Sequence, residues 1–408
     1  MGNRRVTVWM AASVVAGAAL AAPEEDALGR ASGYPAGTVQ SMFENKYMVG
    51  SFSAADRLFT TRVVAKEGPT WALPQATEVP KITYQYEGKT LTLDDYLDRQ
   101  RVTSLLIVKN GQLLVERYQY GRTAEDKLMS FSMAKSVTGL LVGQALERGL
   151  IKSLDDTAQT YAPELNDSVY GPVSIRHLLR MASGAQWAEN HGGRDDVSGL
   201  WGALFRVHRG GNPTTELTAG RRQVNPPGQK FNYSTGDTQV LCHVLKGATG
   251  KTIAEITEEW LWKPLGAGAD ASWLVGWQGL EYCGGGFNAT ARDYARLGML
   301  VARDGERDGK QIVPKDYLLD ATDHERQPPG FRLNDIGPNT AYGYQFWLGR
   351  TGGRGIAMIG VYGQYIGIVP STGVVVVHTA VWPSASVQAA QRERGAFMAG
   401  VAQSLGAP

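Results

Sequence analysis

The sequence predicts an α+β fold: an antiparallel β-sheet flanked by helices, plus an insertion lobe of helices and loops. Three observations predict it. Apolar β-runs joined by tight turns occur in both the first third and the last 60 or so residues. Between about 155 and 300, helical pieces alternate with Gly- and Pro-rich loops. A helix with no polar face separates the first β-runs from this middle region. Strands at both ends of a chain with helices between them imply one sheet and a helical insertion.

The elements follow in order. Residues 1–21 read as a signal peptide. Arg4 and Arg5 form a positive start, Val6 to Leu20 is apolar, and Ala19-Leu20-Ala21 supplies a small-x-small cleavage pattern. No later run reaches the ~18 apolar residues of a membrane span. The expected protein is therefore periplasmic or secreted, with no membrane contact after cleavage. Residues 22–80 read as an N-terminal extension that wraps a body at 81–408. That body divides into an α/β lobe (81–150 and 285–408) and a helical lobe (151–284).

Thr103 to Lys109 and Gln112 to Tyr120 are two β-runs joined by Asn110-Gly111, a pair that accepts the positive φ values of a type I′ hairpin. Ser132 to Arg148 is that largely apolar helix, ended by Gly149. Ser174 to Met181, Thr238 to Lys246 and Ala291 to Arg303 are further helices. Strands return at Ile356 to Val361, Gln364 to Val369 and Val374 to Val381, the last pair joined by a Pro370-Ser371-Thr372-Gly373 turn. A final helix runs from Ser386 to Leu405.

Composition excludes several function classes. Hydrophobic residues make up 43% and charged residues 20% of 408, which fits a globular chain with a full core. Forty-one basic residues face 39 acidic ones, and the leader removes two of the former. A neutral chain without a basic tract is a poor partner for nucleic acid. Cys242 and Cys283 are too few for a disulfide scaffold and read as two buried thiols, with a disulfide as the alternative that export allows. The six histidines form no His-Glu-x-x-His, so no metal is expected. Gly247-Ala248-Thr249-Gly250-Lys251-Thr252 has the wrong spacing for a phosphate loop and follows a helix; it reads as a helix cap and turn, and no cofactor is expected.

Ser132-Met133-Ala134-Lys135 is the one serine with a lysine three residues later. At a helix start that spacing places both side chains on one face. Burial and the positive helix end both lower a lysine pKa, so Lys135 is a candidate base for Ser132 as nucleophile. The Ser132 backbone N–H points out of the helix start and is a candidate oxyanion donor. A second signal is Phe231-Asn232-Tyr233-Ser234-Thr235-Gly236-Asp237, behind the rigid Asn225-Pro226-Pro227-Gly228 turn. A phenol beside a lysine ammonium has its anion favoured, which makes Tyr233 a candidate acid/base.

With these motifs the chain resembles the serine hydrolases of the class C β-lactamase and D-alanyl-D-alanine peptidase group, and within it the 6-aminohexanoate-dimer hydrolases. The resemblance runs from about residue 80 to the C-terminus. It includes FSMAKSVTGLLVGQALERGLIKSLDD, the LLRMASG loop after Ile175, and the run from Tyr282 through Gly284-Gly285-Gly286 to Asp293. By itself that glycine run reads as a close backbone approach before a helix capped near Thr290. The resemblance implies Ser132 as nucleophile, Lys135 as its base and Tyr233 as the group that passes a proton to the leaving atom. It further implies substrate contacts from Trp187, His191, Thr235, Gly360, Tyr362 and Gln364, with the Val361 N–H as second oxyanion donor.

Two departures stand out. Thr235 replaces the asparagine of the family's Tyr-x-Asn motif. The segment Met358-Ile359-Gly360-Val361 carries no Lys, His or Thr where penicillin-recognising members have Lys-Thr-Gly. A β-lactam carboxylate would lose its cationic partner there, and Arg221, Arg222 or Arg354 would have to replace it. The expected function is hydrolysis of small linear amides through an acyl-enzyme. A carboxylesterase, a weak β-lactamase or peptidase, and a non-catalytic module that binds peptidoglycan fragments are the alternatives.

Overall fold

The computed structural model describes residues 22–206, 212–333, 340–350 and 353–406. The expected signal peptide at 1–21 lies outside the described residues. Seven antiparallel strands form the main sheet in the order Ala341–Tyr342, Trp347–Gly349, Gly355–Ile359, Tyr365–Val369, Val374–Ala380, Val102–Lys109 and Gln112–Tyr118. The hairpin turn has φ of 50° at Asn110 and 84° at Gly111, as a type I′ turn requires. The interior strand Val374–Ala380 is buried along its whole length, because helices cover both of its faces.

On one face, Gln388–Ser404 packs with Leu93–Arg99 and the Thr83–Tyr86 strand. Phe397 stacks on Tyr96 there at 4.1 Å. On the other lie Ala291–Ala302 and the buried helix Met133–Glu147. Thr290 caps Ala291–Ala302 by accepting from the Asp293 N–H, and Gly250 ends Thr235–Thr249 in the left-handed region.

The structure adds a second sheet that periodicity did not reveal. Its order is Thr61–Val64, Ala271–Leu274, Phe287–Thr290 and Lys127–Met129. Two of these strands come from stretches read as extension and helical lobe. Each strand has four residues or fewer, too short to show an alternation. This sheet joins the N-terminal segment to the body and aims Lys127–Met129 straight into the Ser132 turn.

The reading of two free thiols is corrected: Cys242 and Cys283 form a disulfide. Both are fully buried, one on Thr235–Thr249 and the other at the head of the glycine run. Among the described residues, no helix is long and apolar enough to cross a membrane.

Candidate active site

Ser132 occupies the N-cap position of the helix Met133–Glu147 and makes no side-chain capping bond. The preceding Phe131 has φ of 44°, a left-handed conformation that costs a bulky residue about 1–3 kcal/mol and clusters at functional sites. The turn is held by the Ser130 N–H, which donates to Phe287 O at 3.0 Å. Opposite it, Gly360 approaches so closely that a Cβ there would overlap Ser130 O. This contact brings Val361 beside Ser132, and both line one cavity of about 290 Å³. Among the described residues, neither the Ser132 nor the Val361 N–H is taken up by a loop or side-chain acceptor, and both remain for an oxyanion. Tyr362, next to Val361, is also left-handed at φ 60°.

Lys135 is 1% exposed. Its Nζ donates to Ser132 Oγ at 3.0 Å, Thr235 Oγ1 at 2.8 Å and Gly284 O at 2.7 Å. Burial lowers its pKa from 10.5 to about 8, with Glu189 pulling the other way. The three partners are not equivalent. Gly284 O can only accept, and the Thr235 hydroxyl is committed to donating to Glu189 Oε1 at 2.7 Å. A neutral Lys135 therefore keeps two N–H bonds to these acceptors and turns its lone pair to Ser132. The glycine run permits this: a Cβ on Gly284 would lie 2.5 Å from Thr235 Cγ2.

Tyr233 stacks on Trp347 at 5.4 Å, with Lys135 Nζ 5.1 Å from its ring centroid. The expectation of a favoured phenolate is corrected. Burial and then Glu189 push its pKa up, and a hydrogen bond with Ser132 only partly offsets them. The phenol stays protonated and is a donor.

Of the sequence-predicted residues, Ser132, His191, Thr235, Val361 and Tyr362 line the cavity, whereas Lys135, Tyr233, Trp187, Gly360 and Gln364 do not. Trp187 is 7% exposed and donates Nε1–H to Glu189 Oε2 at 2.8 Å. Gln364 is buried and braces the strand ends through Ala380 O and N. Gly360 acts as a spacer. His191 sits 3.9 Å from Glu189, and burial lowers its pKa.

Sequence reasoning missed Glu189, which is 2% exposed at its side chain and holds the Thr235 N–H and hydroxyl together. Its one signal was an acid between Trp187 and His191. Sequence reasoning also missed Phe43, Gln40 and Val39 on the cavity wall. Among the described residues, no lysine or arginine lines the cavity. Arg221 pairs with Asp196 at 3.0 Å and stacks on Trp187, Arg222 reaches Gln186, and Arg354 pairs with Asp304 at 2.6 Å. Among the described residues, no group of three or more His, Cys, Asp or Glu is disposed to hold a metal ion.

The Beta-lactamase family model matches residues 92–394. The 6-aminohexanoate-dimer hydrolase of Paenarthrobacter ureafaciens is 26% identical over 365 residues, covering 87% of this chain and 90% of its own. A Bacillus anthracis protein with a proposed assignment as a 6-aminohexanoate-dimer hydrolase shares the fold, with a TM-score of 0.78 at 24% identity over 90% of this chain and 96% of that one. EstCE1, a hydrolase with promiscuous acyltransferase activity, gives 0.58 at 16% identity over 76% of this chain and 96% of its own.

Proposed function

The chain belongs to the Beta-lactamase family of serine hydrolases, and from that premise we propose that it cleaves small linear amides through an acyl-enzyme on Ser132. The observation that carries this is the Lys135 environment: Nζ lies 3.0 Å from Ser132 Oγ and is held by two further acceptors, so that on losing its proton the amine turns its lone pair to that hydroxyl. Ser132 Oγ attacks the carbonyl carbon and its proton passes to Lys135. The oxyanion rests on the Ser132 and Val361 N–H groups. The Tyr233 hydroxyl delivers a proton to the leaving nitrogen and is recharged with the proton Lys135 took from Ser132. Neutral Lys135 then accepts a proton from the attacking water and returns it to Ser132 Oγ as the acid leaves. Linear amides are favoured by the curated relative's name, and esters suit the same chemistry. The buried disulfide supports an exported, periplasmic or secreted protein.

The test is a panel on one preparation: a nitrophenyl ester, a linear amide dimer and a chromogenic cephalosporin, with intact-mass detection of the acyl adduct. The amide and ester should exceed the cephalosporin in kcat/KM by a factor of about 10² to 10³, because its carboxylate finds no cation on the cavity lining. The adduct should be absent from Ser132→Ala. A cephalosporin value above both others favours the β-lactamase reading. No adduct with any substrate favours a binding module.

A further inference from the structure

Val39, Gln40 and Phe43 lie outside the family-matched residues 92–394, yet they line the cavity that opens on Ser132. Their turn is firmly built. The Thr38 N–H donates to Ser41 Oγ at 2.9 Å, the Met42 N–H donates to Thr38 O at 2.8 Å, and Met42 is fully buried in the core. With Met42 pointing in, Phe43 points out. It is still 37% exposed, although it stacks on Tyr362 at 5.4 Å and 18° and meets Trp201 at 6.2 Å.

The position of this aromatic surface matters. Tyr362 directly follows Val361, Phe131 directly precedes Ser132, and their rings meet at 5.5 Å. Phe43 therefore extends an apolar wall that begins at the two oxyanion donors. Exposed apolar area on a rigid wall gains most when an apolar chain covers it. A charged chain would have to leave water without finding a cation on that lining.

We propose that the 39–43 turn is a selectivity wall, and that packing on Phe43 holds an uncharged aliphatic chain of the substrate beside Ser132. The proposal rests on the hydrolase reading above. Full burial of a methylene is worth about fourfold in kcat/KM.

The experiment compares nitrophenyl acetate with nitrophenyl hexanoate for wild type, Phe43→Ala and Val39→Ala, with circular dichroism melts as a folding control. Wild type should prefer the hexanoate. The hexanoate-to-acetate ratio of kcat/KM should fall at least tenfold in Phe43→Ala and about threefold in Val39→Ala. An unchanged ratio in folded variants, or equal losses on both esters, overturns the wall and leaves the hydrolase reading intact. If Phe43→Ala does not fold, the Val39→Ala ratio decides. Wild type inert to both esters overturns the hydrolase reading and the wall with it.

Discussion

Glu189 accepts both hydrogen bonds that Thr235 has to give, from its backbone N–H and from its hydroxyl, each at 2.7 Å. The hydroxyl oxygen is left to accept from Lys135. The carboxylate also sits at the positive start of Thr235–Thr249, where a helix favours an anion. One buried acid thus sets both the direction of a hydrogen bond and the charge felt by the lysine.

Glu189→Gln should move the acid limb of kcat/KM to lower pH. Burial depresses the Lys135 pKa and the Glu189 charge opposes it, so removing the charge lets it fall further. The plateau kcat should drop on the order of tenfold as Thr235 loses a charged acceptor. A pH–rate profile measures both. A limb that moves upward would contradict the assignment.

The buried lysine makes stability depend on pH in a set direction. Its pKa falls from 10.5 unfolded to about 8 folded. Between those values only the unfolded chain holds the proton, so folding stability rises with pH across that window. Relative to Lys135→Met, wild type should gain about 3 kcal/mol between pH 8 and 10.5. Urea titrations of both proteins at three pH values measure the gap, and a constant gap would rule out the depressed pKa.

Tyr233→Phe should lower kcat by about 10² to 10³, since the phenol enters as a proton donor. With Lys135→Ala the double change should cost less than the product of the two, as members of one proton-transfer unit are not additive. If the effects multiply, Tyr233 serves only to pack against Trp347 and Tyr342.

Replacing Cys242 and Cys283 together by alanine should lower the unfolding midpoint by roughly 5–10 °C. The bond closes a separation of 41 residues, worth about 4 kcal/mol in the chain-entropy model. A non-reducing thermal melt of the purified double variant makes the comparison. An unchanged midpoint would show that packing alone holds the two segments.

Much of the site was legible because its signals are local. Asn110-Gly111 dictates a hairpin by its own φ values, and Ser132 to Lys135 spans one helical turn. The glycine run announced a close approach, although not that the Gly284 carbonyl meets Lys135. Glu189 was illegible because an acid in a loop looks solvated until Thr235 arrives from 46 residues away. For the same reason the phenol of Tyr233 was assigned the wrong charge preference. The contact that joins Phe43 to Tyr362 spans most of the chain, and no periodicity encodes it. The pairing of Cys242 with Cys283 likewise depends on where two distant segments meet.

The cavity lining carries the Glu189 carboxylate and, among the described residues, no cationic side chain of lysine or arginine. Cleaving a neutral amide or ester creates a carboxylate where none stood before. On the proposed reading, that new anion is repelled by Glu189 yet attracted by the Lys135 ammonium, which lies 3.0 Å from Ser132 Oγ. The amine released on the other side gains a proton and suffers no such repulsion. Above about pH 8, where Lys135 has lost its proton, only the Glu189 charge faces the acid half, and its release should quicken there.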